Sequence, residues 1–128
     1  MCIRDSYMTG LFVAGAKLKV PLVCIFLRKG YGLGAMAMAG GSFKIPLYTA
    51  SWPTGEFGAM GIEGAVKLGF KKELKSVIDN VSRDHLFADL VKKMYDRGKA
   101  TEAASFLEID AVIDPSETRL MITKAFKN

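Results

Sequence analysis

The sequence predicts an α/β fold, and three observations predict it. VPLVCIFL (20–27) is an apolar, β-rich run without polar alternation, the pattern of a strand covered on both faces. IPLYTASW (45–52) and FLEIDAVI (106–113) read as two further strands. Stretches with apolar residues at helical spacing lie between and after these runs, and strands alternating with helices make the class α/β.

The 128 residues suit one modest domain with a real core, and with half of them hydrophobic the chain reads as globular, not disordered. Two cysteines, Cys2 and Cys24, are too few for a disulfide framework. Cys24 sits inside an apolar run as a buried free thiol, and a reducing compartment, the cytoplasm by default, is expected. The most apolar region is interrupted by Lys17, Lys19 and Pro21, so no stretch reaches the length of a membrane span. The net charge is +5, and its placement is uneven. Residues 1–55 carry Arg4, Lys17, Lys19, Arg28, Lys29 and Lys44 against Asp5 alone, whereas 56–128 balance twelve cations with twelve acids. An anionic ligand, a partner surface supplying acids, and a solvated face all account for that excess.

Taken in order, MCIRDS (1–6) does not join smoothly to the residues after it. It resembles translated sequencing adapter and reads as a non-native leader, which leaves 7–128 as the native part. Residues 8–19 place Leu11, Phe12, Ala16 and Leu18 near helical spacing, and residues 32–40 read as a short buried helix of small residues and methionines. Thr54 reads as an N-cap with Glu56 in the first turn. In the helix expected there, Gly58, Gly61 and Gly64 form a stripe admitting another backbone, and the helix runs on through AVKLGFKKEL. Asp79 or Ser82 starts a longer helix whose inward face is Leu86, Leu90, Met94 and Gly98, with Phe87 and Val91 beside them. Asp114, Pro115 and Glu117 spell a capping box ahead of the last helix, 117–127. No internal repeat stands out.

The segment that carries chemistry is LRKGYGLGAMAMAGG (27–41). It holds five glycines and three alanines, with no acid, Ser, His or Cys. A strand, a glycine turn and a helix aim unpaired backbone amides at a ligand, and small residues let a reacting oxygen reach them. Each such donor stabilises a developing oxyanion by about 3–4 kcal/mol where it has been measured. The plainer reading is a turn that only permits tight packing. Gly32-Leu33-Gly34-Ala35-Met36-Ala37 also fits G-x-G-x-x-A, but the acid a dinucleotide site wants some 20 residues on is replaced by Ala50, Ser51 and Trp52.

Three motifs in order, VPLVCIFLRKGYGLGAMAMAGG, SWPTGEFGAMGIEGAV and IDAVIDPSETR, resemble the C-terminal part of the carboxyltransferase (beta) subunit of biotin-dependent acyl-CoA carboxylases, of the propionyl-CoA and methylcrotonyl-CoA type. The resemblance runs from Thr9 onward. It implies a crotonase-like spiral of ββα units, of which this chain is the end of the second half, a partial carboxyltransferase subdomain. It implies carboxyl transfer from carboxybiotin to the α-carbon of an acyl-CoA. The biotin would arrive on a partner carrier domain or a biotin carboxylase subunit, and the subunits would form a homo-oligomer in the cytoplasm or the mitochondrial matrix. The amides implied to contact the biotin ureido oxygen fall at Leu33 and Gly34, or at Ala35 by comparison with the wider superfamily. Gly30, Tyr31 and Gly32 would shape the turn on the biotin side. Leu33 departs from the glycine or alanine usual in that family. The turn also looks like that of enoyl-CoA hydratases, whose helix carries a glutamate. Here that position falls near Met38, and no acid lies between Ser6 and Gly55, which disfavours hydration.

Other candidates have plainer readings. Arg28 and Lys29 either favour an anion or mark a solvated strand end. Tyr31 either packs with a bonded hydroxyl or touches ligand. Glu56, the first acid after the turn, either faces the pocket or, more simply, is a helix-start acid, and His85 reads as a surface or boundary residue. Lys92, Lys93, Arg97 and Lys99 alternate with Asp89 and Asp96 as an ion-paired face. No metal site is expected, and no motif supports nucleic-acid binding.

Overall fold

The computed structural model describes residues 3–127. Of the leader, residues 1–2, Cys2 included, lie outside the described residues, and the helix α1 (Ile3–Lys17) begins directly after them. β1 (Val23–Phe26) leads into β2 (Lys29–Tyr31) and α2 (Gly32–Met38). β3 (Tyr48–Ser51) leads into β4 (Glu56–Gly58) and α3 (Ile62–Gly69). Then come α4 (Lys71–Ser76), α5 (Asn80–Arg97), α6 (Ala100–Ser105), β5 (Ala111–Val112) and α7 (Thr118–Ala125).

Two parallel sheets result, one ordered β1-β3-β5 and one pairing β2 with β4. The first registers Val23 with Tyr48 through to Phe26 with Ser51, and the second registers Lys29 with Glu56, Gly30 with Phe57 and Tyr31 with Gly58. The arrangement is therefore one β–β–α unit laid on another, β1 on β3 and β2 on β4. This is a structural repeat that the sequence does not announce. β5 is short but reinforced. The Thr49 amide donates to the Asp110 carboxylate and the Asp110 amide donates to the Thr49 carbonyl, both at 2.8 Å.

The core sits between the two sheets and α6. Phe26, Phe57, Ala100, Ala103 and Ile109 form one buried cluster. Phe26, Phe43 and Phe57 meet edge to face, with ring centroids 5.0, 5.0 and 5.9 Å apart. Such pairs add about 0.5–1.5 kcal/mol beyond the area they bury. Ile62 and Val66 of α3 are buried on the side of α5, whose half-buried face is Leu86, Phe87, Leu90, Val91 and Met94, as the periodicity predicts. Asp79 caps α5 by accepting from the Ser82 amide at 2.8 Å, and the Asp114–Glu117 capping box forms over a 3-10 turn, Pro115–Glu117, ahead of α7. Trp52 ties β3 to α7 by donating to the Thr118 hydroxyl at 2.9 Å.

Four expectations need correction. Thr54 and Glu56 do not start a helix. The Glu56 amide donates to the Arg28 carbonyl and the Phe57 amide to the Gly98 carbonyl, both at 2.7 Å, so long-range ladder partners override the local capping signal. The glycine stripe does not form, since Gly58 is a strand residue, Gly61 is the N-cap of α3, and no atom approaches within 4 Å of a Cβ placed at Gly61 or Gly64. The helix after Gly61 breaks at Phe70, so α3 and α4 are separate. The strand at 106–113 shrinks to two residues because α6 ends in a Schellman-type closure. The Leu107 amide donates to the Ala104 carbonyl and the Glu108 amide to the Ala103 carbonyl, both at 2.9 Å, with Leu107 at φ 57°. In addition, Val23, Cys24 and Ile25 are only partly buried, so the two-sided cover expected of β1 is incomplete in this chain. Among the described residues no helix is long and apolar enough to cross a membrane.

Ile109 is fully buried in the main cluster, so Ile109→Ala should lower stability by about 2–5 kcal/mol. Urea denaturation followed by Trp52 fluorescence measures this.

Candidate functional site

The glycine turn is held by its own backbone. Gly32 has φ +62°, a value that side chains resist, and a Cβ there would stand 2.8 Å from the Ala59 carbonyl oxygen. Tyr31, the residue before it, is the N-cap of α2 in extended conformation, and it supplies no side-chain cap. The first-turn amides of Leu33 and Gly34 precede the point where intrahelical bonding begins, whereas Ala35, four residues after the N-cap Tyr31, is the first donor of the helix itself. Among the described residues, none of the turn, loop or cap bonds takes up the Leu33 and Gly34 amides. At its other end α2 closes tightly, the Ala39 amide reaching the Ala35 and Met36 carbonyls at 3.1 Å.

The turn separates two cavities. One, of about 540 Å³, is lined by Cys24, Arg28, Lys29, Tyr31, Gly34 and Ala35, among others. The other, of about 470 Å³, is lined by Gly30, Gly32, Met36, Phe43, Phe57 and Leu107, among others. The split follows from strand alternation along β2, which sends Tyr31 to one face and its neighbours to the other. The six residues singled out from sequence are thus not all brought together. Tyr31, Gly34 and Ala35 share the first cavity, Gly30 and Gly32 border the second, and Leu33 lines neither, with 64% of its surface exposed.

The charges at the first cavity are distinctive. Lys44 pairs with Asp110 at 3.7 Å and Lys99 with Asp96 at 2.6 Å. Arg28 and Lys29 are exposed at the cavity and form no ion pair among the described residues. Of the ion-paired face expected over 89–99, only the Asp96–Lys99 contact forms among the described residues, and His85 is exposed as expected. No group of His, Cys, Asp and Glu able to hold a metal occurs among the described residues.

Glu56 is the residue the sequence reading misplaced. β4 brings it beside the turn, where its Oε2 accepts from the Tyr31 hydroxyl at 2.8 Å. Burial first, then the hydrogen bond and charge of Glu56, push the Tyr31 phenol well above its ordinary value, so it stays a proton-bearing donor. A second pair lies close by. Tyr95 donates to Glu63 at 3.1 Å and its phenol is raised by that bond, while the Glu63 carboxyl is held low by its own backbone amide and by Tyr95. No local signal could have found the Tyr31–Glu56 pair, because it depends on the register of two three-residue strands.

Stacked β–β–α units with a glycine turn opening a short helix place the chain in the crotonase-like class, in agreement with solved structures of that fold. The carboxyl transferase domain model matches residues 9–128, and the chain belongs to that family. It is 34% identical over 125 residues to the biotin-dependent acetyl-/propionyl-coenzyme A carboxylase beta5 subunit of Mycobacterium leprae, covering 91% of this chain and 23% of that protein. A single-chain, multi-domain long-chain acyl-CoA carboxylase superposes with TM-score 0.76 at 48% identity, over 98% of this chain and 13% of that one. The transcarboxylase 12S hexamer, solved with methylmalonyl-CoA and methylmalonic acid bound, superposes with TM-score 0.85 at 27% identity, over 99% of this chain and 25% of that one. The chain spans about a fifth of the length of the curated relatives it matches, 22% for each of two bacterial examples.

Burial also pushes the Cys24 thiol up. In a Cys2→Ser background, alkylation of Cys24 by iodoacetamide should be slow at neutral pH and rise with a midpoint above that of a free thiol, as a pH series of labelling rates would record.

Proposed function

We propose that the protein to which this segment belongs transfers a carboxyl group from carboxybiotin to the α-carbon of an acyl-CoA, and that the segment supplies the turn receiving the biotin ureido oxygen. The supporting observation is the pair of first-turn amides at Leu33 and Gly34, left unclaimed by the turn, loop and cap bonds of the described residues, with Gly34 on the wall of a cavity of about 540 Å³. Biotin suits this site. Small residues admit a ring close to the backbone, and Arg28 and Lys29, held in no ion pair, favour the anionic carboxyl group it carries. When bound, biotin delivered by a partner carrier domain or biotin carboxylase subunit brings the carboxyl group and can accept the α-proton.

The chain's own part is electrostatic. Amides at Leu33 and Gly34 hold an oxygen on which negative charge grows, and fixed dipoles need no reorganisation as it does so; the Ala35 amide is taken by the first bond of α2. Gly30, Tyr31 and Gly32 set the curvature that exposes those amides. The only acid that β4 brings to the turn, Glu56, is already engaged by Tyr31, which favours carboxyl transfer over acid–base work on water. The acyl-CoA side would come from another part of the full subunit or from a neighbouring subunit of a homo-oligomer. The setting that goes with this reading is the cytoplasm, or the mitochondrial matrix in a eukaryote.

Proline substitution tests the donors directly, because the first turn of a helix has no use for its own N–H groups. In the full-length polypeptide, assayed for carboxyl transfer to a panel of acyl-CoAs, Leu33→Pro or Gly34→Pro should cut turnover about 10²- to 10³-fold at the true donor. Wild-type turnover in both variants would remove the amides from the mechanism. Residues 1–128 alone should show no transfer.

A further inference from the structure

The turn is matched, residue by residue, to β4 and the loop that leaves it. A Cβ at Gly30 would lie 3.2 Å from the Phe57 ring, a Cβ at Gly58 would lie 3.4 Å from the Tyr31 ring, and Gly32 approaches the Ala59 carbonyl. The Tyr31 hydroxyl closes this set through its 2.8 Å bond to Glu56. Since Tyr31 is also the residue from which α2 starts, any rotation of its backbone re-aims the open amides of Leu33 and Gly34. The Glu56 backbone is anchored without its side chain, its N–H donating to the Arg28 carbonyl and its antiparallel bridge running to Lys99. The phenol is thus tied to a fixed post.

We infer that Tyr31 is a positioning residue for carboxyl transfer: its phenol, held by the Glu56 carboxylate, sets the pitch of the turn and so the direction of the first-turn amides. Neither side chain gives or takes a proton in the reaction. The inference rests on the function proposed above, but its geometry has a readout that does not.

The test uses the full-length polypeptide with Y31F, E56A, E56Q and the Y31F/E56A double variant. Steady-state transfer is measured, along with hydrogen–deuterium exchange of the peptide covering 29–38. Y31F and E56A should each lower kcat about tenfold, with KM for the acyl-CoA nearly unchanged, because a misaimed donor costs rate and not binding. The double variant should be no worse than either single one, since one bond is lost in each case. E56Q should stay near wild type in both readouts, because the glutamine carbonyl still accepts from the phenol. Exchange across 29–38 should rise in Y31F and E56A only. If Y31F does not fold, the contrast between E56A and E56Q decides. E56Q as impaired as E56A, or Y31F with wild-type kcat and exchange, would overturn the inference. An inactive wild type showing the expected exchange pattern would instead sink the proposed function and leave the clamp standing.

Discussion

The pairing of β2 with β4 is the constraint on which the rest of the structure depends. Three residues on each side set the register, and the chain then reverses at Gly32 against the Ala59 carbonyl with no room for a side chain. The chemical interest of the turn comes from that contact. It fixes where α2 begins, and it leaves the amides of Leu33 and Gly34 outside the turn, loop and cap bonding of the described residues. It also divides the space around the turn into a cavity rimmed by cations and a second one lined by aromatic rings.

A site built this way draws little on side-chain chemistry. α2 is a seven-residue helix, so individual N–H groups and not a long macrodipole supply its field. The long-range field comes from Arg28 and Lys29, which enter no ion pair among the described residues while Lys44 and Lys99 do. This answers in part the question raised by the uneven charge of the first 55 residues. Of that excess Lys44 is paired with Asp110, while Arg28 and Lys29 stand at the cavity where no carboxylate neutralises them by direct contact.

Much of the fold is legible in the sequence where the determinants are local. Asp79 and the Asp114–Glu117 box declare their helix starts, the face of α5 follows its 3.6-residue period, and β1, β3 and α2 stand where composition puts them. What is not legible is set by partners far along the chain. Thr54-Gly55-Glu56 is a convincing helix start until the Arg28 and Gly98 carbonyls claim the amides of Glu56 and Phe57. The same pairing hides the Tyr31–Glu56 bond, and with it the most specific contact near the turn. FLEIDAVI misleads for a different reason, since Leu107 accepts a left-handed conformation that β propensity would never suggest. At the site itself, the glycines mark the turn, but only the strand geometry sorts Gly30 and Gly32 from Tyr31, Gly34 and Ala35.

β1 lies at one margin of the three-stranded sheet, with Val23, Cys24 and Ile25 only half covered and β3 as its sole ladder neighbour among the described residues. Its outer row of peptide groups is a ready template for a further strand, and nothing in VPLVCIFL blunts it beyond Pro21. Handled in isolation, such a rim recruits other copies of itself. One short line of main chain is thus the place where self-association of the segment would begin.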